Sequence, residues 1–306
     1  MTPALEVSHL KKMYGNQTVL EDVSFTVKPN TIYGFLGKNG SGKTTTIKCI
    51  LGLTNHTSGK VHIDNRLIEY GKELPSGLVG FLPDVPEYYN YLTANEYLHL
   101  CGEITNMTKK ERQAKTSELL KLVGLEDAKK KIGGYSRGMK QRLGIAQALI
   151  HDPLLLICDE PTSALDPLGR KDVLAILKKV SKNTTVVFST HILADVEAIA
   201  DEVAILHEGK IARTGSLAEL TKSQEQSTVS VTFHSKEEAV AFKDTLIQLE
   251  DEEEIKISER LVSVETLRGE TVMSQWLTLF PQHQWIPEKI EWRKATLEDV
   301  FLEVTK

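Results

Sequence analysis

One short loop constrains this chain more than any other feature. Gly37-Lys38-Asn39-Gly40-Ser41-Gly42-Lys43-Thr44 has the pattern G-x-x-x-x-G-K-[ST]. Thr31–Gly37 before it is a short apolar run, and Thr44 to Leu53 after it reads as a helix, so the loop stands where a strand hands over to a helix start. Glycines let successive backbone N–H groups turn inward as a nest for anions, and the helix start adds partial positive charge. The pattern therefore asks for phosphate. Gly37, Lys38, Asn39, Gly40, Ser41, Gly42 and Thr45 are the expected cradle, the Lys43 ammonium would reach β- and γ-phosphates, and the Thr44 hydroxyl would ligate Mg²⁺. A dinucleotide fingerprint, G-x-G-x-x-G, fails because Thr45 occupies the last glycine's place.

The rest of the chain supplies a layered frame for that loop. Ala4–Leu10 and Val19–Val27 alternate as strands, and Gly77–Leu82 is a short apolar strand candidate. From there to about His151 the pattern is helical, with capping boxes opening segments at Thr93-Ala94-Asn95-Glu96 and Thr108-Lys109-Lys110-Glu111. Leu154–Cys158 and Thr184–Ser189 are continuous apolar runs suited to strands buried on both faces. Between them Asp166-Pro167 pairs a good N-cap with proline at the first helical position, which predicts a helix to about Val180; another is expected over Ile192–Ala200. Alternating buried strands and helices predict an α/β fold. Near Thr221–Ser227 periodicity is lost and a linker is expected. Beyond it, Val229–Phe233, a Ser235-capped helix, Leu261–Val264 and Thr296–Val304 read as a small α+β domain that contains the acidic run Glu250–Glu254.

The apolar run Leu154–Cys158 ends in Asp159-Glu160-Pro161. A buried strand can hold two carboxylates rigidly beside phosphates. Asp159 is then a candidate Mg²⁺ ligand, and Glu160 a candidate base that orients and polarises the attacking water.

With a phosphate loop upstream, this block resembles the Walker B motif of the ABC (ATP-binding cassette) ATPases. Ser163-Ala164-Leu165-Asp166 resembles their D-loop, and His191 their switch histidine, which contacts the γ-phosphate and steadies the catalytic glutamate. Tyr135-Ser136-Arg137-Gly138-Met139-Lys140-Gln141 is similar to their signature segment, LSGGQ; Ser136 and Gly138 match, whereas Tyr135, Arg137 and Met139 depart from it, Arg137 standing where glycine is usual. Gly80-Phe81-Leu82-Pro83-Asp84 resembles the Q-loop segment with Asp84 in the place of glutamine, a carboxylate still able to reach Mg²⁺. Tyr14 lies where the family places an aromatic that stacks on adenine. The likeness runs from Leu5 to about Leu220. Thr296–Leu302 adds a likeness to the closing segment of ATPase subunits from bacterial drug-, antibiotic- and ion-export transporters.

The resemblance implies a P-loop NTPase core with an inserted helical subdomain at about 85–151, an N-terminal antiparallel β part, an ATPase domain over 1–222 and an accessory α+β domain over 223–306. It implies ATP and Mg²⁺ as ligands, and Lys43, Glu160 and His191 as catalytic. It also implies a head-to-tail pair with a second copy or paralogue, each ATP lying between one chain's phosphate loop and the other's Ser136–Gly138 signature. Tyr88, Tyr89 and Tyr91, following the Q-loop segment, are expected to face a membrane partner. No apolar run reaches the ~18–20 residues a membrane helix needs. Separate transmembrane permease subunits are therefore expected, with this chain cytoplasmic on the inner face of the membrane. Lys+Arg number 37 against Asp+Glu 42, a balance that argues against a nucleic-acid partner. Cys49, Cys101 and Cys158 are too few and scattered for a disulfide or zinc framework. Exporter motor is the leading reading. A non-transport ABC ATPase, a regulatory ATP-binding module with weakened hydrolysis, and a small-molecule kinase are the rivals.

Overall fold

In a computed structural model of the chain, residues 2–222, 227–248, 255–294 and 296–305 are described. They divide into two compact units, Met1–Leu217 and Ala218–Lys306.

The first unit opens with β1 (Leu5–Tyr14), β2 (Gln17–Val27) and β3 (Ile32–Leu36), then α1 (Lys43–Ile50), β4 (Ser58–Ile63), β5 (Arg66–Leu67) and β6 (Val79–Leu82). Three helices follow, α2 (Ala94–Ile104), α3 (Lys109–Leu122) and α4 (Arg137–Ala148). The chain returns through β7 (Leu155–Asp159), α5 (Pro167–Val180), β8 (Thr185–Thr190), α6 (Leu193–Ile199), β9 (Glu202–His207) and β10 (Lys210–Ser216), and α7 (Leu217–Lys222) comes next.

Strands β6, β7, β8, β3 and β9 pair in that order and all run parallel. Parallel strands need helical crossovers that cover both faces, which is why β3, β7 and β8 are buried at every residue. The β1, β2, β4 and β5 part is antiparallel, and its alternation of buried and exposed residues marks a sheet with one dry face. Leu5, Leu10, Val23 and Val61 from that part share one core with Phe35, Ile47 and Ile157 of the parallel part.

The helices between β6 and β7 begin where their side chains dictate. Thr93 accepts the Glu96 N–H while the Glu96 carboxylate accepts the Thr93 N–H, and Thr108 and Glu111 repeat the arrangement. Each box satisfies two otherwise orphaned donors. Tyr88 turns inward here: its hydroxyl donates to the Lys140 carbonyl at 2.7 Å and its ring meets Tyr97 edge-on. Tyr89 and Tyr91 stay exposed. The expected three-tyrosine surface is thus a pair, because the third phenol satisfies a helix carbonyl.

The second unit holds β11 (Ser227–Thr232), α8 (Lys236–Gln248), β12 (Ile255–Ser258), β13 (Leu261–Thr266), α9 (Gly269–Gln282), β14 (Lys289–Lys294) and α10 (Leu297–Val304). Its four strands form an antiparallel sheet in the order β12-β13-β11-β14, packed on an aromatic core of Phe233, Phe242, Trp276 and Phe280. The acidic run Glu250–Glu254 and part of the expected linker lie outside the described residues.

Candidate functional site

The phosphate loop leaves the C-terminal end of β3, an interior strand of the parallel sheet. β3 ends at Leu36, and the Gly37 N–H donates to the Thr190 carbonyl at 3.2 Å, tying the loop to the end of β8. A Cβ on Gly37 would meet Ser41 Oγ at 2.5 Å and Leu206 O at 2.7 Å, so no larger residue fits there. Gly42 takes φ 110 as the N-cap of α1, a conformation that costs side-chain-bearing residues dearly, and a Cβ would strike Leu20. Lys43 is nearly buried, and its ammonium donates to the carbonyls of Gly37 at 2.8 Å and Lys38 at 3.3 Å.

Two parallel strands deliver the acids. The β7–β8 register sets Asp159 beside Ser189. The Ser189 hydroxyl donates to Asp159 Oδ1 at 2.6 Å and accepts the Glu160 N–H at 2.9 Å, while the Ser189 carbonyl accepts the same N–H at 3.2 Å. These bonds hold Glu160 at φ 48, a left-handed conformation that a non-glycine residue keeps only when its surroundings impose it. The result is a carboxylate aimed at the loop: Glu160 Oε1 lies 3.1 Å from Lys43 Nζ, and Oε2 lies 2.9 Å from His191 Nδ1. Two of the three expected catalytic residues thus meet at the third.

Around them is a cavity of about 520 Å³ lined by Asn39, Gly40, Gly42, Lys43, Thr44, Thr45, Asp84, Glu160 and His191, joined by Val19 and Ser163. Ser163 is the first residue of the D-loop-like segment, whereas Val19 and the supporting Ser189 are not singled out by the sequence. Nothing in the residue pattern around Ser189 announces that it will face Asp159; only strand register does.

Other expected residues sit elsewhere. Tyr14, at the end of β1, is half exposed outside the cavity lining, with the Lys12 ammonium 4.4 Å from its ring centre. Ser136 is the N-cap of α4 and accepts the Met139 N–H at 3.2 Å; neither Ser136 nor Gly138 lines the cavity. Arg137, at the start of α4, lies with Nη2 3.7 Å from Asp84 Oδ1. Burial of Asp84 raises its carboxyl above the usual carboxylate range; the Arg137 guanidinium opposes that, and the nearby charges of Asp159 and Glu160 reinforce it.

A strand, a phosphate loop and a helix start, with two acids at the end of the neighbouring strand, define a P-loop nucleoside triphosphatase. The family model for the ABC transporter matches residues 20–163. The ABC transporter ATP-binding protein YxlF of Bacillus subtilis (strain 168), itself uncharacterized, is 37% identical over 311 residues, covering 98% of this chain and 99% of that protein. The bacitracin transport ATP-binding protein BcrA of Bacillus licheniformis is 43% identical over 214 residues, 69% of each chain. A solved ATP-binding subunit of an ABC transporter superposes with a TM-score of 0.64 at 34% identity, covering 72% of this chain and 92% of that one. The chain belongs to the ABC transporter ATP-binding protein family and is an ATP-hydrolysing transporter subunit. These relationships support the transporter reading over the non-transport and regulatory alternatives.

Proposed function

We propose that this chain hydrolyses ATP at the Lys43–Glu160–His191 cluster and so drives export through separate membrane-spanning subunits. The observation that carries the reading is the Glu160 carboxylate bridging the Lys43 ammonium and the His191 ring at the mouth of the phosphate loop. When triphosphate enters, its oxygens take over the share of Lys43 now given to Glu160. Glu160 is then free to hold the attacking water, with His191 fixing its second oxygen. Such a positioned base contributes about 10²–10⁴ in rate.

The donor set fits Mg²⁺. Thr44 and Asp84 line the cavity and Asp159 lies buried behind it beside Glu160; all three offer only oxygen, the choice of a hard cation, and Asp84 Oδ1 is a buried oxygen without a hydrogen-bond partner. Bound there, Mg²⁺ would neutralise charge on the phosphates. Residues 37–45 would hold the phosphates through the loop's N–H groups. Tyr14 would offer its exposed face to adenine, because β1 and β2 pair at Tyr14–Gln17 and β2 carries Val19 into the cavity wall.

Ser136 and Gly138 are absent from the lining, so the signature does not complete the site of its own chain. A second copy or paralogue, docked head to tail, would supply it. Among the described residues no helix is long and apolar enough to cross a membrane. Permease subunits would form the path, with this chain on their cytoplasmic face and exposed Tyr89 and Tyr91 offered to them. The net charge of -5 is poorly suited to a nucleic-acid partner. The relative named for bacitracin transport makes a peptide antibiotic the first cargo to test.

Glu160→Gln is the decisive variant. It should bind ATP, lose turnover by about 10²–10⁴, and hold an ATP-dependent dimer on a sizing column. Turnover within about threefold of the parent would refute the role of Glu160.

A further inference from the structure

Two of the positions at which this chain departs from the family's motifs, the two that carry charge, face each other. Asp84 stands in the usual place of glutamine and Arg137 in that of glycine, on segments far apart in sequence, yet Arg137 Nη2 and Asp84 Oδ1 are 3.7 Å apart with both side chains about half exposed. That separation is within ion-pair reach but too long for a hydrogen bond. Asp84 Oδ1 is shielded from solvent and has no hydrogen-bond partner. A carboxylate oxygen held by charge alone keeps its acceptor capacity for something else.

The surroundings hold both residues in place. Gln141, buried on α4, donates to the Asp84 carbonyl at 3.3 Å and to the Pro161 carbonyl at 3.2 Å. The Tyr88 hydroxyl donates to the Lys140 carbonyl, so the stretch 84–88 and the start of α4 are pinned to each other and to the turn that follows Glu160. Asp84 also lines the cavity beside Thr44 and Glu160. It therefore faces two cationic claimants: Arg137 on one side, and on the other the divalent cation that enters with a nucleotide. Asp159 and Glu160 are the acids that act on Asp84, the Ser163 side chain hydrogen-bonds to it, and Arg137 is the cation that opposes the two acids there.

We propose that Asp84 and Arg137 form a cation-sensitive latch within one chain. The Asp84 carboxylate is shared between Arg137 and the incoming Mg²⁺, so that loading the cavity breaks the Asp84–Arg137 contact and emptying it restores that contact. The inference rests on the nucleotide-site reading above. A divalent ion outbids a half-exposed guanidinium whose pairing is weak, so the exchange is reversible. Either departure alone would be incomplete: glycine at 137 could not neutralise Asp84, and glutamine at 84 would leave Arg137 without a charge partner here. Arg137 is thus a positioning residue that acts through Asp84.

The test uses the full chain carrying Glu160→Gln. ATP affinity is measured by calorimetry with Mg²⁺ and with EDTA. Arg137→Gln should tighten Mg²⁺-ATP binding by about threefold, the scale of a partly exposed ion pair, and leave binding in EDTA unaltered. Arg137→Lys, which keeps the charge, should restore the parent value. In an Asp84→Asn background, Arg137→Gln should have no effect. An equal effect of Arg137→Gln with and without Mg²⁺, or additive effects of the two substitutions, would overturn the latch. Intact ATP binding that ignores the pair overturns the latch alone, whereas failure of the parent to bind ATP overturns the nucleotide-site reading with it.

Discussion

Ser189 is the residue whose removal tests most sharply how the catalytic carboxylate is held. It is fully buried, and its hydroxyl serves both acids at once, donating to Asp159 Oδ1 at 2.6 Å and accepting the Glu160 N–H at 2.9 Å. In Ser189→Ala the Glu160 N–H keeps the Ser189 carbonyl at 3.2 Å, so that loss is partial. Asp159 loses a buried bond to a charged oxygen, worth ~1.5–3 kcal/mol. For a unit of this size each kcal/mol lowers the melting temperature by roughly 2–4 °C, which predicts a drop of about 3–12 °C. The kinetic effect follows from the backbone. Glu160 at φ 48 is kept there against its own preference, and the hydroxyl is one of the two restraints on its N–H. A carboxylate displaced by ~1 Å loses up to about 10²-fold in rate. Phosphate release should therefore fall about ten- to hundredfold in kcat, with the KM for ATP little changed because the phosphate loop is untouched. Thermal denaturation and steady-state turnover are measured on the same preparation. A variant that melts lower but turns over within about twofold of the parent would refute the positioning role.

Other substitutions separate the remaining assignments. Tyr14→Ala should weaken ATP binding by ~1–3 kcal/mol in calorimetry if its ring stacks on the base; unchanged affinity would return Tyr14 to an ordinary surface role. Tyr89→Ala with Tyr91→Ala should reduce co-purification of membrane subunits while sparing the isolated ATPase, whereas Tyr88→Ala, which removes a partly buried aromatic and its bond to Lys140, should cost about 3 kcal/mol of stability in urea unfolding. If the Tyr89–Tyr91 pair behaves like Tyr88, the docking reading fails. A chain ended after Lys222 should still bind ATP, since every residue lining the cavity precedes it; a folded truncation without binding would contradict this.

Where information in the sequence is local, the structure repeats it. Thr93 and Thr108 start their helices because a hydroxyl and a carboxylate three residues apart close on each other without help from the rest of the chain. Asp166-Pro167 starts α5 for a similarly local reason, with Asp166 accepting the Gly169 N–H at 3.1 Å. The elements not expected depend on distant partners. β14 alternates charged and apolar residues over Lys289–Arg293 but is only six residues long, and it is a strand because it pairs with Ser227–Thr232. α9 ends with Pro281 in its last turn, which reads as a breaker yet is tolerated that close to the end. Sheet order was likewise illegible: β3 lies between β8 and β9, both of which come more than a hundred residues later.

The site divides along the same line, and the division has a chemical cause. Phosphate is gripped mainly by contiguous backbone, so its cradle must be written as contiguous residues, and the loop at Gly37–Thr44 is legible in one glance. Hydrolysis instead requires an acid, a cation and a ring to converge, and each needs a support that arrives by register or packing. Asp159 and Glu160 announce themselves as a pair. Ser189, which joins them, is visible only once β7 and β8 are laid side by side. Arg137 shows the same limit from the other direction. Taken singly against a motif it is a fault, and so is Asp84. Placed 3.7 Å apart they are opposite charges in one contact. A motif compares each position with an average over many chains, whereas electrostatics acts between the two residues that this chain has. Departures from a motif are therefore best read in pairs, across space, before either is counted as a loss of function.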